Sequence, residues 1–275
     1  MTGILSRQER FERVGSTNDV VRDWLAAGVP EVCLAVAGEQ AAGRGRAGRT
    51  WVAPPGAALL LSLGFRPTWL EPDRAWRLAA TVSLAMADAA EGVAGLPVGA
   101  IRLKWPNDLV IERDPATGSA VADVRKVAGV LGETQDLGSA DPRVVVGLGI
   151  NADWPAADFP SDLAVSMTSL REASAGRPIG LGALLDAFLG RLEARIGALR
   201  GGRFDVIAWT DRQLTTGRTI RLERPDRIET VQALGVDVET GALLVEDPAA
   251  PNGERQVLVG EVGHVRLALP IGAVV

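Results

Sequence analysis

The chain of 275 residues has no tyrosine, one histidine (His264) and one cysteine (Cys33). With so few soft ligands, a zinc site drawing on several His and Cys side chains is excluded. A Ser-His-Asp triad would have to recruit His264 near the C-terminus, where no nucleophile elbow accompanies it. A lone cysteine closes no internal disulfide, which fits a reducing compartment. Cys33 lies in the apolar run VCLAVA and reads as a small core residue. Only two of the 29 basic residues are lysines, Lys104 and Lys126. Arginine serves wherever positive charge suffices, so a surviving lysine marks a place where a compact ammonium enters a tight site. Drift in base composition is the plainer alternative.

Long apolar runs are missing too. None reaches the roughly 18 residues of a membrane-spanning helix, and the N-terminus MTGILSRQERF lacks the order of a signal peptide. A cytoplasmic protein with no membrane partner is expected. A net charge of −5 disfavours general nucleic-acid binding, so any anion site must be local.

The apolar pattern predicts an α+β core. RFERV (10–14) reads as a strand, and Ser16-Thr17-Asn18 as the N-cap of a short helix. That helix turns Val20, Val21, Trp24 and Leu25 inward and stops at Gly28. VCLAVAG (32–38) and ALLLSLGF (58–65) read as buried strands. Pro72 is expected to open a long helix with an apolar stripe of Trp76, Ala79, Ala80, Val82 and Met86. Strands are expected at about 100–104, 108–112, 126–133 and 143–150, with a mobile loop over 113–125. Leu184, Leu185, Phe188, Leu192 and Ile196 recur at helical spacing, and RFDVIAWTDRQL reads as a shorter helix. From about 215 the texture changes to RTIRLE, TVQALGVDV, ALLVED and RQVLVGEVGHVRLAL, the pattern of a small β-barrel. The expected domains are 1–213, helices on a mostly antiparallel sheet, and 214–275, all β.

Four segments carry chemistry. In GEQAAGRGRAGRTW (38–51), glycines at 43, 45 and 48 alternate with arginines at 44, 46 and 49. Glycine lets backbone N–H groups approach a phosphate, arginine adds guanidinium forks, and Trp51 offers a flat face. A solvated basic loop or an RNA-binding arginine-glycine segment are the competing readings. No Gly-Lys-Ser/Thr follows, so the loop is not a Walker motif. In KWPNDL (104–109), Asn107 and Asp108 sit at a strand end, where Asp108 would take a proton from an incoming amine and Asn107 would orient a phosphate. An ordinary Asn-Asp turn would look the same. RKVAGVLGE (125–133) puts Lys126 in a half-buried strand, which favours an anion beside it over a snorkelling edge lysine. VVVGLGIN (144–151) carries Gly147, Gly149 and Asn151, either to seat a ring or to form a bulge.

Taken in order, STN, E-x-Q-x-x-G-R-G-R-x-G-R-x-W, KWPNDL, K-x-A-G-x-L and GxGIN resemble the biotin protein ligase family over about residues 10–151. The β-rich tail looks like that family's SH3-like C-terminal domain. The resemblance implies a class II aminoacyl-tRNA-synthetase-like core. It implies activation of biotin by ATP and Mg²⁺ to biotinyl-AMP, then transfer to a lysine of a biotin carboxyl carrier domain of acyl-CoA carboxylases. Ser16, Thr17, Asn18 and Gln40 would hold the ureido ring region, with Gly43, Gly129 and Gly147 beside it. Arg44, Gly45 and Arg46 would close over biotin, and Arg44, Arg46 and Arg49 over the adenylate. Trp51 would cover the intermediate, and Lys126 would meet the biotin carboxylate and the α-phosphate. Asn107 and Asn151 would lie near the nucleotide. Mg²⁺ would be held through the substrate phosphates, with Asn107 or Asp108 as the protein's candidate ligands. Lys126, Arg44 and Asp108 are the expected catalytic residues.

Two departures from the family pattern bear on partners. The chain begins almost at the catalytic core, without the winged helix-turn-helix of family members that act as repressors, so no DNA partner is expected. The loop after KWPNDL is longer than the family pattern. Lipoate or octanoate ligases or transferases share the fold and are the nearest alternative, followed by a non-catalytic biotin-binding module. Monomer and homodimer are both compatible with the sequence.

Overall fold

The computed structural model describes residues 3–113, 123–224 and 226–268. Most of the expected loop 113–125 lies outside them. The elements run β1 (Arg7–Val14), α1 (Thr17–Ala26), β2 (Cys33–Gln40), β3 (Ala58–Phe65), α2 (Trp76–Ala94), β4 (Ile101–Lys104), β5 (Asp108–Arg113), β6 (Asp123–Gln135) and β7 (Arg143–Asn151). The short helices α3 (Ser161–Ala164) and α4 (Leu170–Ala173), then α5 (Leu181–Arg200) and α6 (Val206–Asp211), follow. Strands β8 (Thr219–Glu223), β9 (Ile228–Val236), β10 (Leu243–Glu246), β11 (Glu254–Val257) and β12 (His264–Leu267) end the described chain.

The first seven strands form one sheet in the order β1-β2-β3-β7-β6-β5-β4. Only the β1–β2 pair is parallel. All eight residues of β3 are buried, as its apolar run requires of a central strand, whereas the edge strand β1 is mostly charged and largely exposed, with Phe11 and Val14 its apolar residues. Helix α1 covers one face through Val21, Trp24 and Leu25, packed with Cys33, Ala35 and Val145; Val20 is half-buried. The alanine-rich α2 lies against the other face, beneath α5, whose predicted stripe of Leu184, Leu185, Phe188, Leu192 and Ile196 is buried. Helix α2 begins at Trp76, not at Pro72, because Pro72–Arg74 forms a separate 3₁₀ turn.

The five C-terminal strands form an antiparallel sheet in the order β11-β10-β9-β8-β12. The last apolar run was expected to be one strand. It is two, because the turn Val259–Glu261 interrupts it and carries the chain from one edge to the other. The apolar core runs without a break from α2 and α5 into Ile220, Leu222, Leu243 and Val257 of this sheet. Its turn at 237–241 is pinned to the larger sheet's elements. Trp76 Nε1 donates to Glu239 O, Trp105 Nε1 to Gly241 O, and Arg77 to Val238 O, each at 3.0 Å. Among the described residues no helix is long and apolar enough to cross a membrane.

Candidate active site

A cavity of about 510 Å³ opens where the start of α1, the 41–50 loop, the β4–β5 turn, the middle of β6 and β7, and β12 converge. That volume is in the range of small-molecule sites. Its charge opposes that of the whole chain. Six lining side chains are basic (Arg44, Arg46, Arg49, Lys104, Lys126 and Arg266), and the single acid among them is Asp108. In a protein of net charge −5, such a concentration builds a local anion site.

One end of the cavity is a polar cluster. Gln40 Oε1 accepts from the backbone N–H of Thr17 at 2.7 Å and from its hydroxyl at 3.0 Å. Ser62 Oγ lies 2.7 Å from Thr17 Oγ1 and 2.6 Å from Asn18 Oδ1. These contacts fix the Asn18 amide with its oxygen occupied, leaving buried Nδ2 without a partner in the protein. An unpartnered buried donor is costly, and at a cavity wall it is a place for a ligand acceptor. Gly147 makes room for it, since a Cβ there would lie 2.1 Å from Asn18 Oδ1.

The middle of the cavity is a bare shelf. Gly129 and Gly149 are directly paired across β6 and β7. The Trp51 ring rests on them, 2.6 Å from where a Cβ of Gly149 would be and 3.2 Å from that of Gly129. Its Nε1 is buried and also lacks a partner. Lys126 reaches the same shelf through a bulge. Leu109 pairs with Ala128 but Val110 with Lys126, so Val127 is an extra residue in β6. Residues three apart on a regular strand face opposite sides; the bulge brings Lys126 onto the side of Gly129. Its Nζ lies 5.4 Å from the Trp51 ring centroid.

At the far end, Asp108 Oδ1 meets Lys126 Nζ at 2.6 Å, and Lys104 Nζ stands 3.9 Å from Oδ2. Burial pushes the Lys104 ammonium below the usual lysine range. Lys126, Arg266 and Arg49 add to that push while Asp108 opposes it. Two ammonium groups around one carboxylate leave an excess positive charge facing the cavity. Asn107 is tied to β6: its side-chain amide donates to Val130 O at 3.0 Å, and its backbone carbonyl accepts from Val130 N.

The glycine-arginine loop is ordered and held from two directions. Arg44 forms a double hydrogen bond with Asp19, both at 2.8 Å, and a 3.2 Å contact with Glu133. Arg46 donates to the carbonyls of Val259 at 2.6 Å and Val262 at 3.0 Å, and Arg49 lies 3.0 Å from His264 Nε2. Inside the loop Gly45 N donates to Arg49 O, and Trp51 N to Gly43 O.

Of the residues singled out from sequence, all but Gly43 and Asn151 line this one cavity. Gly43 lies behind it against Gln40 and Trp51. Asn151 is fully buried at the end of β7, where its amide donates to Thr168 O; it is not on the cavity wall. The sequence reading missed Ser62, His264 and Arg266 as parts of the site, and singled out Lys104 by its rarity without giving it a role there. A lone serine inside ALLLSLGF was a signal for the first.

Residues 10–151 match the model of the biotin/lipoate A/B protein ligase family. The chain belongs to that family. Across it, a biotin–[acetyl-CoA-carboxylase] ligase of Mycobacterium tuberculosis is 32% identical over 92% of this chain and 87% of its own length. A bifunctional ligase/repressor of Bacillus spizizenii is 30% identical over 85% of this chain and 67% of the relative. In structure, the biotin protein ligase of Aquifex aeolicus, solved with biotin and ATP, aligns with a TM-score of 0.74 at 25% identity, covering 95% of this chain and 99% of that one. The family fold of a large mostly antiparallel sheet beside a small antiparallel one is the fold found here.

Proposed function

We propose that this chain is a biotin protein ligase, which joins biotin to AMP with ATP and passes it to a lysine of a biotin carboxyl carrier domain. The observation that carries this reading is the cavity's division. It has a neutral hydrogen-bonding end at Asn18, Gln40 and Thr17, and a strongly basic end at Lys126, Lys104, Arg46 and Arg49. The neutral end suits a ureido group, which needs donors and acceptors but no charge. Trp51, seated on the Gly129–Gly149 shelf, offers a flat face to a ring, and the basic end suits a carboxylate meeting a triphosphate.

In the first step the biotin carboxylate oxygen attacks the α-phosphorus, and the bond to the bridging oxygen breaks to release pyrophosphate. Two anions must be brought together, so charge neutralisation and positioning by Lys126 and the loop arginines dominate. In the second step the acceptor's amine attacks the carbonyl of the mixed anhydride and AMP leaves. Asp108 is the one carboxylate lining the cavity among the described residues and would orient that amine or take its proton. No group of three side chains suited to hold a metal occurs among the described residues. Asp108 is moreover engaged by two lysines, so a resident metal site does not fit. Magnesium enters this reading only as part of the nucleotide substrate.

The test is mass spectrometry of the protein with Mg²⁺-ATP and equimolar biotin, lipoate and octanoate. Biotinyl-AMP is the expected product, reduced by roughly 10²-fold or more in Lys126→Ala. Lipoyl- or octanoyl-AMP instead would keep the mechanism and overturn the substrate. No adenylate at all would leave a binding module.

A further inference from the structure

The single histidine of the chain lies on β12, the edge strand of the C-terminal sheet, yet it faces the same cavity as Asn18 and Lys126. Its Nε2 is 3.0 Å from Arg49 Nη1. A guanidinium has hydrogens to give and no lone pair to offer, so the imidazole nitrogen must be the acceptor. Nδ1 stands 3.5 Å from the same Nη1, and for either ring nitrogen to accept the ring must be neutral. Three residues away in the loop, Arg46 reaches the same sheet by donating to the carbonyls of Val259 and Val262.

We propose that His264 is a positioning residue of the ligase reaction, which fastens the glycine-arginine loop over the cavity by accepting a hydrogen bond from Arg49. The functional part of this inference rests on reading the cavity as the biotin and ATP site; the fastening itself does not. The surroundings keep the ring neutral. Arg49 approaches from the loop, Arg266 lies two residues along β12, and Lys104 stands on β4. The one facing carboxylate is Glu223 on β8, already engaged by Arg266 at 2.8 Å and Arg221 at 2.7 Å. Burial first, then Arg49 and Arg266, push the imidazole below its ordinary range near 6.5.

The sign of the pH effect follows. With its pKa depressed in the fastened state, His264 contributes in full above the ordinary imidazole pKa. As pH falls below about 6.5 the released loop gains a proton that the fastened one refuses, and the contact weakens. A phosphate in the cavity would add its own hold on Arg46 and Arg49, so the histidine matters most before the nucleotide arrives. The contact orients the two arginines so that the arriving triphosphate meets them already aligned.

The test is hydrogen exchange of the full chain without ligands, read at the amides of Gly45 and Trp51, which are bonded inside the loop. After correction for intrinsic rates, exchange there should rise about five- to tenfold in His264→Ala at pH 7.5. His264→Gln, whose side-chain oxygen can still accept from Arg49, should stay near wild type. Between pH 7.5 and 5.5 the wild type should loosen while His264→Gln does not, and KM for ATP in the adenylation assay should follow the same two profiles. If His264→Ala alone loses protection throughout the chain, the glutamine variant and the pH comparison still decide. Unchanged exchange in His264→Ala, or the same pH profile in wild type and His264→Gln, would overturn the proposal. If the exchange pattern holds but no adenylate forms, the fastening stands and the ligase reading fails.

Discussion

The two ends of the glycine-arginine loop are held by opposite kinds of partner. Arg44 is met by two carboxylates, Asp19 and Glu133, and hydrogen bonding to Asp19 raises its hold on its proton further. Asp19 in turn is kept below the usual carboxylate range, chiefly by Arg44. Arg46 and Arg49 are met by two backbone carbonyls and a neutral ring, all uncharged. Burial and the nearby Arg49 push Arg46 down. An arginine neutralised by acids is an anchor. One held by neutral acceptors keeps its charge for whatever enters the cavity. Three arginines that look alike in GRGRAGR therefore divide into one that fixes the loop and two that would meet phosphate.

Removing a charge from the unneutralised half should have the largest effect. Arg46→Ala is expected to lower kcat/KM for adenylate formation about 10²-fold with little change in melting temperature, measured by pyrophosphate release and thermal unfolding. An equal loss in Arg44→Ala would break the division. Next, Gly149→Ala disturbs the same half through shape alone, because its methyl would stand 2.6 Å from the Trp51 ring. Trp51 must lift, and the loop end with it. Misplacement on this scale predicts a 10- to 100-fold rise in KM for biotin with the charges intact. The smallest effect should come from Asp19→Asn, which removes the main acceptor of Arg44. Each partner is about a third exposed, so stability should fall by about 1 kcal/mol or less in chemical denaturation. The Asp19 contribution is present above the ordinary carboxylate pKa near 3.9 and is lost only as pH falls through the depressed one. Between pH 5 and 8 the Arg44 end should therefore hold steady while the Arg49 end loosens below about 6.5.

This division was not legible in the sequence, although the loop was. Apolar periodicity located α5, β3 and the alternating C-terminal strands, because those patterns are local and each residue's partners follow from its face. The order of motifs likewise marked Asn18, Asp108 and Lys126 as parts of one site. Whom the arginines would meet depends on chain crossings. Glu133 is 89 residues from Arg44, and His264 is 215 residues from Arg49. Only the sheet order and the placing of β12 at the cavity decide those pairs. The bulge at Val127 is the same kind of case. Alternation around Lys126 reads as a regular strand, and the extra residue appears only in the pairing with β5. The burial of Asn151 is hidden for a simpler reason. At the end of a strand it looks exposed, but the 166–168 segment covers it and takes its amide.

The indoles of Trp76 and Trp105, donating into the turn at 237–241, set the clock of the molecule. A hinge between the two sheets would have to break both bonds and part a shared core, so the sheets form a fixed frame. Against that frame stands the ten-residue stretch from Ala41 to Thr50, which lies outside any strand or α-helix and lines the cavity. Loops of that size move in nanoseconds to microseconds, whereas hinged bodies take microseconds to milliseconds. A stretch that must break its contacts with Asp19, Val259 and His264 before it opens behaves as a lid, in the microsecond-to-second range, with the frame on either side unchanged.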